Sequence, residues 1–216
     1  MPLRSIPPID SIIFDLDGTL WDSTATVARA WQAAAGQLDF ALHPITQEMV
    51  RSITGLPYDV IYPRLFPQLS TGQLEELKRL CAIEELAFLQ REGGRLYPGL
   101  MDTLQALRRQ YPLFIVSNCQ SGYIEVFLEH HRLQHFFQDI ECFGNTKRSK
   151  ADNIRLIRER NSLQAPVYVG DTIGDYEASK SNHIPFIYTT FGFGQVPEAH
   201  AHISHFDQLL QLVAAG

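Results

Sequence analysis

The sequence predicts an α/β fold: a parallel, doubly wound sheet that carries a helical insertion. Three observations support this. From about residue 97 onward, short apolar runs rich in β-branched and aromatic residues alternate with helix-like stretches, the pattern of right-handed βαβ units. Residues 21–96 offer helical signals and no persuasive strand, so they stand outside the sheet. Acids follow directly on two of the apolar runs, at the strand ends where open α/β sheets place their chemistry.

The elements follow in order. Met1–Pro8 reads as an irregular lead-in and Asp10–Asp15 as the first strand. Thr24 starts a helix through Ala35 that Gly36 stops, and Thr46 caps a second over Gln47–Ile53, ended by Gly55 and Pro57. A short third helix covers Tyr58–Phe66. Thr71 starts the longest, Gly72–Gln90, with Leu74, Leu77, Cys81, Leu86 and Leu89 along one apolar face. Gly93 and Gly94 end it, and Pro98–Gly99 returns to the core. Helix 100–110 then precedes strand 113–117, helix 122–131 precedes strand 139–143, helix 151–161 precedes strand 167–170, and helix 175–181 precedes strand 186–188. A closing helix over 206–213 packs Leu209, Leu210 and Val213 on the sheet. The expected domains are a core of residues 1–20 with 97–216 and a helical insertion of 21–96, with Trp21 packed where they join.

Hydrophobic residues make up 45% of the 216 and charged residues 19%, an ordinary balance for a chain with a sizeable core. A net charge of −6 argues against a nucleic-acid surface, which needs clustered Lys and Arg. It leaves room for a small anion held by a few local cations. Cys81, Cys119 and Cys142 are far apart, odd in number and form no CxxC pair, as expected of reduced thiols in a cytoplasmic protein. No apolar run reaches the length of a membrane span. Nothing in the sequence selects an oligomeric state.

Four short stretches carry chemistry. In Ser11-Ile12-Ile13-Phe14-Asp15-Leu16-Asp17-Gly18-Thr19-Leu20, a buried strand leads into two carboxylates one residue apart. Such acids repel unless a cation joins them, and a hard divalent ion suits oxygen ligands. A solvated turn is the bland alternative. A calcium loop fails on register, because Leu20 stands where its glycine must be. Val116-Ser117-Asn118 ends a core strand just before a helix, which makes either an anion site or a simple cap. Ser149 with Asp152 resembles a capping box and puts Lys150 in a helix's first turn. A cation there opposes the helix dipole, which suggests a neighbouring anion; Lys147 is the rival for that role. In Gly170-Asp171-Thr172-Ile173-Gly174-Asp175 the acids are four apart at a strand-to-helix junction, so both can face one side of the first turn.

Taken in order, Asp15-Leu16-Asp17-Gly18-Thr19, Ser117, Lys150 and Gly170–Asp175 resemble the four motifs of the haloacid dehalogenase (HAD) superfamily. The insertion after strand one looks like the cap of its phosphoglycolate-phosphatase-like branch. The third motif departs from many relatives in having no proline beside the lysine. The resemblance implies a five-stranded core of order 5-4-1-2-3, which sets strands one and four side by side. It implies a phosphatase acting on a small phosphorylated metabolite. Asp15 is then the nucleophile and Asp17 the general acid and base. Ser117 and Lys150 stabilise the phosphoryl oxygens, helped by Asn118, and Thr19 positions Asp17. Mg2+ is held by Asp15, the Asp17 carbonyl and Asp171, with Asp175 beside them. Arg51, Thr54 and Gly55 are implied as the part of the cap that reaches over the site, against a plain helix-turn-helix.

A phosphomutase shares the core and differs by retaining the phosphate for transfer. A dehalogenase is disfavoured by Asp17, an acid that halide departure does not need. A phosphorylated receiver-like module leaves the insertion and Lys150 with Asp171 unexplained, and a catalytically silent relative should lack a key group. His130, His131 and His135, and separately His200, His202 and His205, have no Cys or acid framework nearby and read as surface histidines rather than zinc ligands.

Overall fold

The computed structural model describes residues 6–214, so the first five residues of the expected lead-in lie outside the described part. A six-stranded parallel sheet forms its centre. Its strands are β1 (Ser11–Phe14), β4 (Leu113–Ser117), β5 (Asp139–Cys142), β6 (Pro166–Gly170), β7 (Phe186–Thr189) and β8 (Ala201–Ile203), arranged β5-β4-β1-β6-β7-β8. The expectation of five strands is corrected. Ala201–Ile203 pairs in parallel with β7 at the edge, and the closing helix begins only at Gln208. A run of three residues inside a His-rich stretch is too short to show a strand period, and only pairing with β7 makes it one.

The sheet buries both faces, as apolar strands of this kind require. Ile12 and Phe14 point to one side with Ile115 and Val169; Ile13, Phe114 and Tyr168 point to the other. The first side receives helices α5 (Leu100–Leu107), α6 (Tyr123–His131) and α10 (Gln208–Ala214), and the second receives α8 (Lys150–Arg160) and α9 (Ile173–Ser181). Phe14 stacks on Phe206 with ring centres 6.0 Å apart and meets Phe137 edge-on at 6.3 Å. One further turn, α7 (Phe143–Thr146), links β5 to α8.

Residues 23–94 form helices α1 (Thr24–Ala35), α2 (Gln47–Ile53), α3 (Tyr58–Leu65) and α4 (Thr71–Glu92). Thr46 caps α2 by accepting from the Met49 N–H, whereas Ser70 rather than Thr71 caps α4, through a capping box with Gln73. The expectation of no strand in 21–96 is also corrected: β2 (Trp21–Asp22) and β3 (Arg95–Leu96) pair antiparallel where the chain leaves and re-enters the core. Two-residue strands carry no periodic signal, so only the pairing reveals them. Trp21 is fully buried there, with its ring 4.9 Å from Phe127. Among the described residues, no helix is long and apolar enough to cross a membrane.

Phe206→Ala opens a hole between α10 and the sheet. It is expected to lower the unfolding free energy by about 3–5 kcal/mol in a urea titration.

Candidate active site

The central place of β1 decides the geometry. Phe14 is in register with Ile115 on one side and Val169 on the other, and the Asp15 N–H donates to the Val169 carbonyl at 2.8 Å. The carboxyl ends of β1, β4 and β6 therefore meet, bringing together Asp15, Asp17, Ser117 and Asp171, and α8 and α9 add Lys150 and Asp175. Asp15, Lys150, Asp171 and Asp175 are all buried.

Lys150 is the hub. Its Nζ donates to Asp15 Oδ1 at 2.7 Å and to Asp175 Oδ1 at 2.5 Å. Ser149 caps α8 by accepting from the Asp152 N–H at 3.1 Å, which fixes Lys150 as the first helical residue. Burial alone lowers a lysine, but the charges of Asp15 and Asp175 hold this one above its ordinary value. Lys147, the rival, lies over the Phe143 ring and lines a separate surface cleft.

Asp175 is occupied on both oxygens. Beside Lys150 on Oδ1, its Oδ2 accepts from the Thr172 N–H at 2.9 Å, the Thr172 hydroxyl at 2.7 Å and the Asp171 N–H at 3.2 Å. It orders the start of α9 and fixes the lysine. Asp171 differs: Oδ2 accepts from the Phe193 N–H at 2.7 Å, while Oδ1 is buried without a partner among the described residues. Burial, then the Asp175 charge, push Asp171 up to about 7. Burial likewise pushes Asp15 well above the usual carboxylate range, against the pull of Lys150.

One carboxylate oxygen from each of Asp15, Asp171 and Asp175 lies within 4.8 Å of the other two. A buried oxygen with no donor, beside a second acid and short of positive charge, fits a small hard cation. Gly18 and Gly192 keep this cradle open: a Cβ at either position would collide with the Asp171 carboxylate, and Gly18 also has φ +83°.

Asp17 faces the other way. Its Oδ1 accepts from the Ser23 hydroxyl at 2.6 Å and the Tyr123 hydroxyl at 3.0 Å. Burial raises it to about 6, although both hydroxyls favour its charged form. Thr19, expected to position Asp17, has a buried hydroxyl with no partner among the described residues. Ser23 and Tyr123 do that work, and neither stood out in the sequence, since they belong to the segment ends and meet only on folding.

A cavity of about 60 Å³ opens over Asp15, Asp17, Ser117 and Asn118 and reaches Thr54 and Gly55. The Asn118 side chain is turned to the helical segment, where its amide donates to the Gly55 carbonyl at 2.9 Å. Arg51 lines an adjoining outer cleft instead, with its guanidinium 4.8 Å from the Phe193 ring centre. The sequence reading also missed Glu85, a buried acid on α4 that lines the inner cavity. It holds the Trp31 N–H at 2.5 Å and the Gln120 amide at 3.1 Å. A signal existed: Glu85 interrupts the four-residue stripe Leu77, Cys81, Leu89.

The family model of haloacid dehalogenase-like hydrolases matches residues 12–189. The chain belongs to this family. Among similar haloacid dehalogenase-like hydrolases, a phosphoglycolate phosphatase of Aliivibrio fischeri is 31% identical over 197 residues, covering 86% of each chain. One of Synechococcus elongatus is 32% identical over 190 residues, covering 86% of this chain and 85% of its own. A solved structure of a haloacid dehalogenase-like family hydrolase from Streptococcus pneumoniae superposes with a TM-score of 0.82 over 94% of this chain and 97% of its own, at 23% identity, a likeness of fold.

Two outcomes test this site's electrostatics. Lys150→Met strands buried carboxylates and is expected to cost about 3–5 kcal/mol by urea unfolding in chelator. Burial raises Glu85 from 4.5 to about 7. Below pH 4.5 both folded and unfolded states are protonated. From there to pH 7 the folded state keeps a proton that the unfolded state has lost, and stability falls as pH rises. Glu85→Gln removes this dependence. From pH 5 to 8 its stability relative to the wild type is expected to improve by about 2–3 kcal/mol in paired melts.

Proposed function

We propose that the protein is a magnesium-dependent phosphatase that hydrolyses a small phosphomonoester through an aspartyl-phosphate on Asp15. The observation that carries this is the buried group Asp15, Lys150 and Asp171, in which Asp171 Oδ1 has no donor among the described residues. The curated relatives, phosphoglycolate phosphatases by name, point to the same reaction class.

In this reading an Asp15 carboxylate oxygen attacks phosphorus as the ester P–O bond breaks. Asp17, held by Ser23 and Tyr123, gives its proton to the departing oxygen. It then takes a proton from the water that attacks the phosphoryl group, releasing inorganic phosphate and free Asp15. Its raised value of about 6 suits a group that must act both ways near neutrality. Ser117 and the Asn118 backbone face the transferring oxygens, and Lys150 orients Asp15 and neutralises part of its charge. Mg2+, held by Asp15, Asp171 and the Asp17 carbonyl, would supply the positive charge that lets one anion approach another. Asp175 serves by fixing Lys150 and the turn before α9.

Residues 21–96 act in this scheme as a cap, with Thr54 and Gly55 over the cavity and Arg51 in the adjoining outer cleft. The inner cavity, of about 60 Å³, favours a small substrate over a nucleic acid or a membrane lipid. A cytoplasmic site of action agrees with three unpaired thiols. A phosphomutase would use the same residues and is told apart by poor hydrolysis and dependence on a bisphosphate.

The test is hydrolysis of p-nitrophenyl phosphate. Asp15→Asn and excess EDTA are each expected to abolish turnover, and Mg2+ to restore it to the chelated wild type. Asp17→Asn is expected to lower kcat by about 10²–10⁴. Full activity in Asp15→Asn overturns the assignment.

A further inference from the structure

The wall of the inner cavity opposite Asp15 comes from the helical segment, and its character bears on what departs with the ester oxygen. Val27, Trp31, Val50, Ile53 and Ile61 make it largely apolar, with Glu85 set among them. No lysine, arginine or histidine lines it among the described residues. The nearest cations lie elsewhere. Lys150 is committed to Asp15 and Asp175. Arg51 and Arg64 line the outer cleft, which neither Asp15 nor Asp17 lines. The bond that breaks lies against Asp15 and Asp17, so the leaving group begins in the inner cavity.

Glu85 is 4% exposed. Its Oε2 accepts from the Trp31 indole and its Oε1 from the Gln120 amide, both neutral donors. A carboxylate has about four acceptor sites, so capacity remains toward the cavity. A buried acid with no cation is costly, and an apolar residue would continue the stripe Leu77, Cys81, Leu89 along α4 at lower cost. The surplus acceptor therefore points to a ligand that donates to it.

We infer, resting on the phosphatase reading above, that the leaving group accepted here is a small uncharged alcohol with a further hydroxyl that donates to Glu85. The same carboxylate disfavours a leaving group that carries a second anion. Such an anion loses its water in an apolar cavity, meets no cation and stands beside a like charge; each effect opposes binding. A hydroxyl instead fills the open acceptor of Glu85 and rests its carbon skeleton on the apolar wall. Glycolate, the leaving group in the names of the curated relatives, carries such an anion, so the inference separates this chain from them in substrate choice while keeping the chemistry.

A closely matched pair of substrates tests it. 2-Hydroxyethyl phosphate and 2-phosphoglycolate differ in a CH2OH group in place of a carboxylate. At pH 8 with Mg2+, the wild type is expected to favour 2-hydroxyethyl phosphate at least tenfold in kcat/KM. Glu85→Gln is expected to narrow that ratio at least fivefold, chiefly by lowering KM for phosphoglycolate. Equal or better use of phosphoglycolate by the wild type overturns the inference, as does an unchanged ratio in a folded Glu85→Gln. The wild-type comparison decides alone if that variant does not fold. Turnover of p-nitrophenyl phosphate that is lost in Asp15→Asn keeps the two claims apart. If it is present and phosphoglycolate is preferred, only the specificity falls; if it is absent, the phosphatase reading falls and takes this inference with it.

Discussion

The ammonium of Lys150, buried between Asp15 and Asp175, is the interaction on which the rest of this structure depends. Three carboxylates converge within a few ångströms, and one lysine does not balance them. Each acid taken from water pays a desolvation cost that only close, well-aligned partners offset. Asp175 meets this with five donors, so it is fully committed. Asp15 and Asp171 are left under-compensated, and burial pushes both upward. A site in this condition is poised to take up positive charge and, with it, a phosphoryl group. The glycines at 18 and 192 serve the same end, since a side chain at either would occupy the space of the Asp171 carboxylate.

The loop after β4 joins this charged centre to the helical segment. Ser117 faces the cavity, Asn118 donates to the Gly55 carbonyl, and Gln120 donates to the Ala82 carbonyl and to Glu85. Asp17 is tied on the same side through Ser23 and Tyr123. The groups proposed to handle the phosphoryl group and the proton thus rest directly on the residues that shape the leaving-group cavity. In the proposed function, substrate choice and chemistry share one hydrogen-bonded framework.

How much of this was legible differs from element to element. Asp15, Asp17, Ser117 and Asp171 were readable because each stands where an apolar strand run ends and a turn begins, and Lys150 and Asp175 because each falls in the first turn of a capped helix. The long helix over 71–92 was readable from its apolar stripe. The sixth strand was not, because Ala201–Ile203 owes its state to the neighbouring β7 edge. β2 and β3 were not, because two residues have no period. The roles of Ser23 and Tyr123 were hidden by the hundred positions between them.

The amino-acid sequence by itself determined the α/β class, the four strand-end motifs and the placement of acids and lysine along the chain, because local periodicity and capping are properties of neighbouring residues. Tertiary structure alone decided that Asp175 spends both oxygens on Lys150 and the α9 start while Asp171 keeps one free, that Asp17 leans on Ser23 and Tyr123, and that Glu85 enters the cavity wall. These are outcomes of which distant groups share a low-dielectric space. That sharing is set by strand order and helix packing, which no short stretch of chain contains.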